Sequence, residues 1–152
     1  MKKKTLKNFT YEGLGFPIKL QNVTMVLVDG KWHPKIDVRK IADNAICDLA
    51  FQKERLTGNQ VKFIRTYFEM SLRDFAKEVV NESHTAVAKW EKCKDKATNM
   101  DTNIEFMLRL YVHDRVSINT KKEQHLFYEK YTEIRNMSLT EKTPTPISVK
   151  AS

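Results

Sequence analysis

Apolar and polar positions follow two different periods along this chain, and the change of period divides it. Near the N-terminus Ile18 and Leu20 alternate with Lys19 and Gln21, and the apolar, β-branched run 23–28 follows. Alternation with period two reads as a half-buried strand. Asp29-Gly30 suits the positive φ angles of a tight hairpin turn, and Lys31-Trp32-His33 can return as the partner strand. Pro34 would stop that strand or hold it at an edge. Residues 1–36 therefore read as loop and a small β-hairpin, with Lys2, Lys3 and Lys4 as a mobile tail.

From Asp37 the period becomes helical. Asp37 can cap a helix whose Val38, Ile41, Ala42, Ala45, Ile46 and Leu49 share one face, running to about Lys53. Three short helices follow. Thr57 with Gln60 forms a capping box ahead of Val61, Ile64 and Phe68. Ser71 with Asp74 forms a second, ahead of Phe75, Ala76 and Val79 or Val80. Asn81 tolerates the left-handed conformation that ends a helix, and Ser83 can cap the next, with Val87 and Trp90 inward. Thr102 to Glu105 matches a further capping box, with Ile104, Met107, Leu108, Tyr111 and Val112 as its buried stripe and Arg109 exposed. A last helix is expected from about Lys121 to Arg135, with Phe127, Tyr131 and Ile134 on one side. From Met137 the chain is rich in Ser, Thr, Lys and Pro without periodicity, which predicts a disordered tail. The expected parts are a hairpin-plus-helix module over 1–55, a helical domain over 56–136, and a tail over 137–152.

Composition narrows the function classes. The 152 residues include 27 Lys and Arg against 19 Asp and Glu, a net charge of +8. That excess favours a polyanionic partner, because Lys and Arg displace the counterions of bound phosphates. Cys47 and Cys93 form no Cys-x-x-Cys pair, which argues against a zinc ribbon and a disulfide framework. There is no run of 18 apolar residues, and Lys7, Asn8, Thr10 and Glu12 interrupt any signal-peptide core after Met1, so the expected location is cytoplasmic. The histidines His33, His84, His113 and His125 are scattered, and neither a phosphate-binding loop nor a nucleophile elbow is present. An enzyme, a cofactor and a metal are not expected.

The segment 57–91 carries the chemistry. Two short helices joined by a tight turn, the second opening with small polar residues, make a helix-turn-helix layout. Small Ala76 lets the next helix cross closely, and Val87 pins that helix to the core. His84, Thr85, Ala88 and Lys89 are left on the outer face, followed by Lys92, Lys94 and Lys96.

Met70-Ser71-x-x-x-Phe75-Ala76 leading to Ser83-x-x-x-Val87-x-x-Trp90-Glu91 resembles the Xre, or λ-repressor/Cro-like, helix-turn-helix family. Leu56-Thr57-Gly58 before the first helix, together with Trp90-Glu91, is similar to bacterial antitoxin-type regulators that join an N-terminal module to such a domain. The resemblance covers about residues 56–115. It implies base-facing roles for His84, Thr85 and Lys89, a phosphate near Ser83, and structural roles for Trp90 and Glu91. Many such regulators carry zinc-binding cysteine pairs, whereas this chain has none, which implies a metal-free module. Ala76 and Trp90 are also one residue further apart than the common spacing, and Asn81 stands where the turn usually has Gly. The extra residue lengthens the second helix or loosens the turn.

The expected fold is thus mainly α with a small N-terminal β-hairpin (α+β), containing a λ-repressor-like helix-turn-helix domain. The expected function is a sequence-specific DNA-binding transcriptional regulator, a repressor acting as a homodimer. Its recognition helix would span about 83–91 in the major groove, with Ser83, His84, Thr85, Ala88, Lys89, Arg73, Lys92 and Lys94 as DNA-binding residues. The 101–116 helix is the candidate for dimer contacts. The alternatives are an antitoxin that neutralises a toxin partner and represses its operon, and an RNA-binding factor using the same basic surface. On the bland reading, His84 is an ordinary surface histidine and the lysines solvate a helix end.

Overall fold

The computed structural model describes residues 2–116, 129, 132–133, 136 and 142–151. The helix expected over 121–135 lies mostly outside the described residues. The chain forms two compact units, Met1–Ala45 with Thr145–Ser152, and Ile46–Pro144.

The first unit corrects the expectation of a small hairpin in a mainly α fold with a λ-repressor-like domain. The protein is α+β with a four-stranded mixed sheet made of β1 (Lys3–Tyr11), β2 (Ile18–Val28), β3 (Lys31–Lys35) and β4 (Ile147–Lys150). The long β2 is central. β1 pairs antiparallel along most of one side, from Lys3↔Val26 to Tyr11↔Ile18. On the other side β3 pairs antiparallel with residues 24–28, and β4 pairs parallel with residues 18–21. The expected Asp29-Gly30 turn joins β2 to β3, with φ of 50° and 75°.

β1 takes in Lys3 and Lys4, two of the three lysines expected in a mobile tail. Its Leu6, Phe9 and Tyr11 are only half-buried, so it lacks the strong alternation by which a strand is recognised. β4 likewise corrects the disordered tail over its last residues, where Val149 and Ala151 are buried. Buried positions on β2 shift phase across Asn22, from Ile18 and Leu20 to Val23 and Met25. Asn22 sits at φ 55°, and this left-handed residue breaks the alternation without changing the register with β1. Pro34 lies within β3, a strand with one free side among the described residues, where its missing N–H costs no ladder bond.

Between the sheet strands and the helical region runs α1 (Val38–Leu49), and the division between the units falls within it. Asp37 caps it, its Oδ1 accepting from Lys40 N at 3.1 Å. Ile41, Ala42, Ala45, Ile46 and Leu49 are buried as the periodicity requires, but Val38 is exposed.

The second unit contains α2 (Gly58–Tyr67), α3 (Leu72–Phe75), a π turn (Ala76–Val80), α4 (His84–Glu91) and α5 (Thr102–Val116). Its core joins Leu56, Val61, Ile64, Phe75, Val87, Leu108 and Val112, among others. On α5 the expected stripe is corrected. Met107 is 61% exposed, whereas Glu105 and Arg109 are buried together with Leu108 and Val112. Asp101, not Thr102, caps this helix, its Oδ1 accepting from Asn103 N at 2.9 Å.

Glu105 is freed from capping and turns inward. Its Oε1 accepts from Arg55 Nε at 2.9 Å and Leu56 N at 3.3 Å, and its Oε2 from Arg109 Nη2 at 2.9 Å. Arg109 also donates to the carbonyls of Gln52 and Glu54, and Arg55 to that of Met100. Burial pushes the Arg109 guanidinium below its ordinary pKa, an effect that Glu105 opposes. This cluster secures the segment ahead of α2 to α5. Because Arg109 is engaged inside the unit, the exposed dimer-contact role expected for it is withdrawn.

Candidate nucleic-acid interface

The helix expected to carry function is built from its ends. Ser83 has extended backbone (φ −73°, ψ 151°), and its Oγ accepts from Ala86 N at 3.1 Å, so it caps α4 as expected. Asn81 adopts φ 51° and closes the preceding helical run, its N–H donating to Ala76 O. Ser71 Oγ caps α3 by accepting from Asp74 N at 3.1 Å.

Between α3 and α4 the helical run ends in the π turn Ala76–Val80, where each residue turns through a smaller angle and the bonds reach one residue further. Val80 thereby stays buried, and the chain still enters α4 through a capped turn.

The rear of α4 is anchored firmly. Val87 and Trp90 are buried, and α4 packs on α2 and α3. Glu91 faces α2 and takes a two-pronged pair from Arg65, with Nε to Oε2 at 2.7 Å and Nη2 to Oε1 at 3.0 Å. That hydrogen-bonded carboxylate raises the Arg65 pKa above its ordinary value. Arg65 Nη1 also donates to Met70 O at 3.0 Å, which ties the end of α2 to the same arrangement.

Gly58 lets the start of α2 pack closely against the end of α4. A Cβ at Gly58 would lie 2.4 Å from Trp90 O and 2.6 Å from Lys94 N, so only glycine admits this approach. The segment after α4 then wraps the start of α2. Asn59 N donates to Lys94 O at 2.8 Å and Thr98 N to Leu56 O at 3.1 Å. Thr57 and Gln60 form the full expected capping box.

With Val87 and Trp90 inward, residues 84, 85, 88, 89 and 92 fall on the opposite arc of the helix, since successive residues turn by about 100°. His84, Thr85, Lys89 and Lys92 are exposed and Ala88 is half-buried. These five share one face. Ser83 is exposed at the head of that face. Arg73 is exposed at the start of α3, and Lys94 is exposed in the turn after α4 at φ 54°; neither belongs to the α4 face itself. Among the described residues, no ion pair engages Arg73, Lys89, Lys92 or Lys94. Exposed Glu82 and Asp95 border the face at its two ends, so its free cations are confined to the helix and its last turn.

Gly58, Arg65 and exposed Lys77 on the π turn are absent from the sequence-predicted set. A glycine just inside a capped helix start was the available signal for the first. The Arg65–Glu91 pair spans 26 residues, and no local pattern reveals it. Half-buried aromatic side chains between α2 and α5 pack on one another. Tyr67 stacks edge-on against Phe68 at 5.2 Å, and Phe68 against Tyr111 at 5.5 Å.

Among the described residues no three His, Cys, Asp or Glu side chains are grouped to hold a metal ion, and no helix is long and apolar enough to cross a membrane. No family model matches the chain, and neither a curated protein nor a solved structure is significantly similar to it.

Proposed function

We propose that this protein is a sequence-specific DNA-binding regulator, a repressor acting in the cytoplasm, that lays α4 in the major groove of duplex DNA. The observation that carries the proposal is the outer face of α4. It presents His84, Thr85, Lys89 and Lys92 without an acidic neighbour on the same face, while its back is held by Val87, Trp90 and the Arg65–Glu91 pair. A helix about 10–12 Å wide fits a groove about 12 Å wide. Ala88, between the longer side chains, lets the backbone approach the base edges. Lys89 donates to guanine or a phosphate, and His84 and Thr85 to base edges or bridging waters. Ser83 Oγ accepts from Ala86 N yet retains its hydroxyl proton for a phosphate oxygen. Lys92, Lys94 and Arg73 supply backbone contacts that give affinity without sequence choice. As a homodimer, the protein would place two such helices about 34 Å apart.

Selection of bound duplexes from a random library tests this. The expected outcome is a recurrent motif for the native chain. Lys89→Ala should weaken binding to that motif by about 1–3 kcal/mol and relax the preference at one position. Unchanged affinity and motif in Lys89→Ala would remove Lys89 from the reading set, and the absence of any motif would refute the proposal.

A further inference from the structure

The outer face of the sheet is a second cationic surface. Every charged residue in the four strands is a lysine, and all 19 Asp and Glu residues lie elsewhere in the chain. The buried positions on β2, Ile18, Leu20, Val23 and Met25, define the inner face on both sides of Asn22. Lys4, paired with Met25, belongs to that inner side, and its ammonium lies 4.3 Å from the Trp32 ring centre.

By the registers, Lys3, paired with Val26, and Lys19, paired with Thr10, fall on the opposite face, as do Lys31, His33 and Lys35 of β3. All five are exposed, and no ion pair among the described residues engages them. Lysines on edge strands also serve to block edge-to-edge pairing. Lys19, however, lies on central β2 between β1 and β4, where there is no edge to block.

We infer that this outer face binds the phosphate backbone of duplex DNA without sequence preference. Charge complementarity selects the partner, and spacing and composition narrow it. Lys31 and Lys35 lie four residues apart along β3, at about 14 Å, and Lys3 stands on the far side of Val26, about 10 Å from the intervening His33 across the strands. The cations are therefore spread over a broad surface, as contacts to successive phosphates require. Between them stand Thr5, Asn8, Thr10 and Gln21, all exposed and all able to donate to phosphate oxygens. The face has no Phe, Tyr or Trp, so it lacks both a broad base-stacking platform and the aromatic anchor typical of a protein interface. This surface acts apart from α4, because it engages DNA of any sequence.

The test compares the full chain with a variant carrying Lys3→Gln, Lys19→Gln, Lys31→Gln and Lys35→Gln, and with a second carrying Arg at the same four positions. The readout is anisotropy on a random-sequence duplex over a range of salt concentrations, with circular dichroism confirming the fold. The Gln variant is expected to bind more than about tenfold more weakly at low salt. Its slope of log affinity against log salt should be shallower by about 0.9 for each phosphate it no longer neutralises, whereas the Arg variant keeps both values. An unchanged slope and affinity in the Gln variant would overturn the inference. So would binding of the native chain to polyglutamate or to anionic phospholipid vesicles that matches its DNA binding and is abolished in the Gln variant. Failure here leaves the α4 proposal intact, and loss of a selected motif in α4 variants leaves this one intact.

Discussion

Glu105 has no exposed surface and accepts from Arg55, Arg109 and the Leu56 amide, and at the scale of single residues it carries the greatest consequence. Burying such a cluster is costly, and the arrangement is tolerable only while the carboxylate balances both cations. Glu105→Gln should therefore destabilise the chain by about 3–5 kcal/mol, read as a lower urea midpoint. A loss under about 1 kcal/mol would mean that water reaches the cluster. Gly58→Ala should cost about 1–3 kcal/mol, because the added methyl meets carbonyl and amide backbone that has no rotamer to yield. Ser83→Ala removes the α4 cap and should cost about 1 kcal/mol, with Ser83→Gly recovering most of it. Sequence marked Ser83, Thr57 and Asp37 as caps because a cap acts within three residues. It placed Arg109 outside and Glu105 in a capping box, since the partners that draw them inward are tens of residues away.

At the scale of elements, the π turn Ala76–Val80 is the departure with a functional reading. A π turn costs regular hydrogen bonding, and it orients whatever follows it. Deleting Glu78, exposed on this turn, should allow an α-helical turn to close with the melting temperature kept or raised. If α4 reads DNA, the deletion should also alter the selected motif, because the start of α4 is re-aimed. An unchanged motif at unchanged stability would show that the turn plays no part in recognition. The short helices and the β2–β3 hairpin were legible from period, caps and Asp29-Gly30. β1 and β4 were not. β1 is a polar edge strand with a phase break opposite Asn22, and β4 has four residues within a polar segment, so their pairing with β2 depends on partners distant in sequence.

For the whole molecule, the net charge of +8 is unevenly distributed, with an acid-free set of strands and a cationic face on α4. Charge alone yields binding that is weak, indifferent to sequence and steeply dependent on salt; base contacts add a component that persists as salt rises. On the proposed function, α4 supplies such base contacts. The most direct test is an anisotropy titration of the full chain against duplex DNA from upstream of its own gene, with a scrambled duplex as control, at two salt concentrations. Tight binding to the upstream duplex is expected to survive the higher salt, while binding to the scrambled duplex collapses. Weak and equal binding to both duplexes, vanishing together as salt rises, would contradict the proposed function.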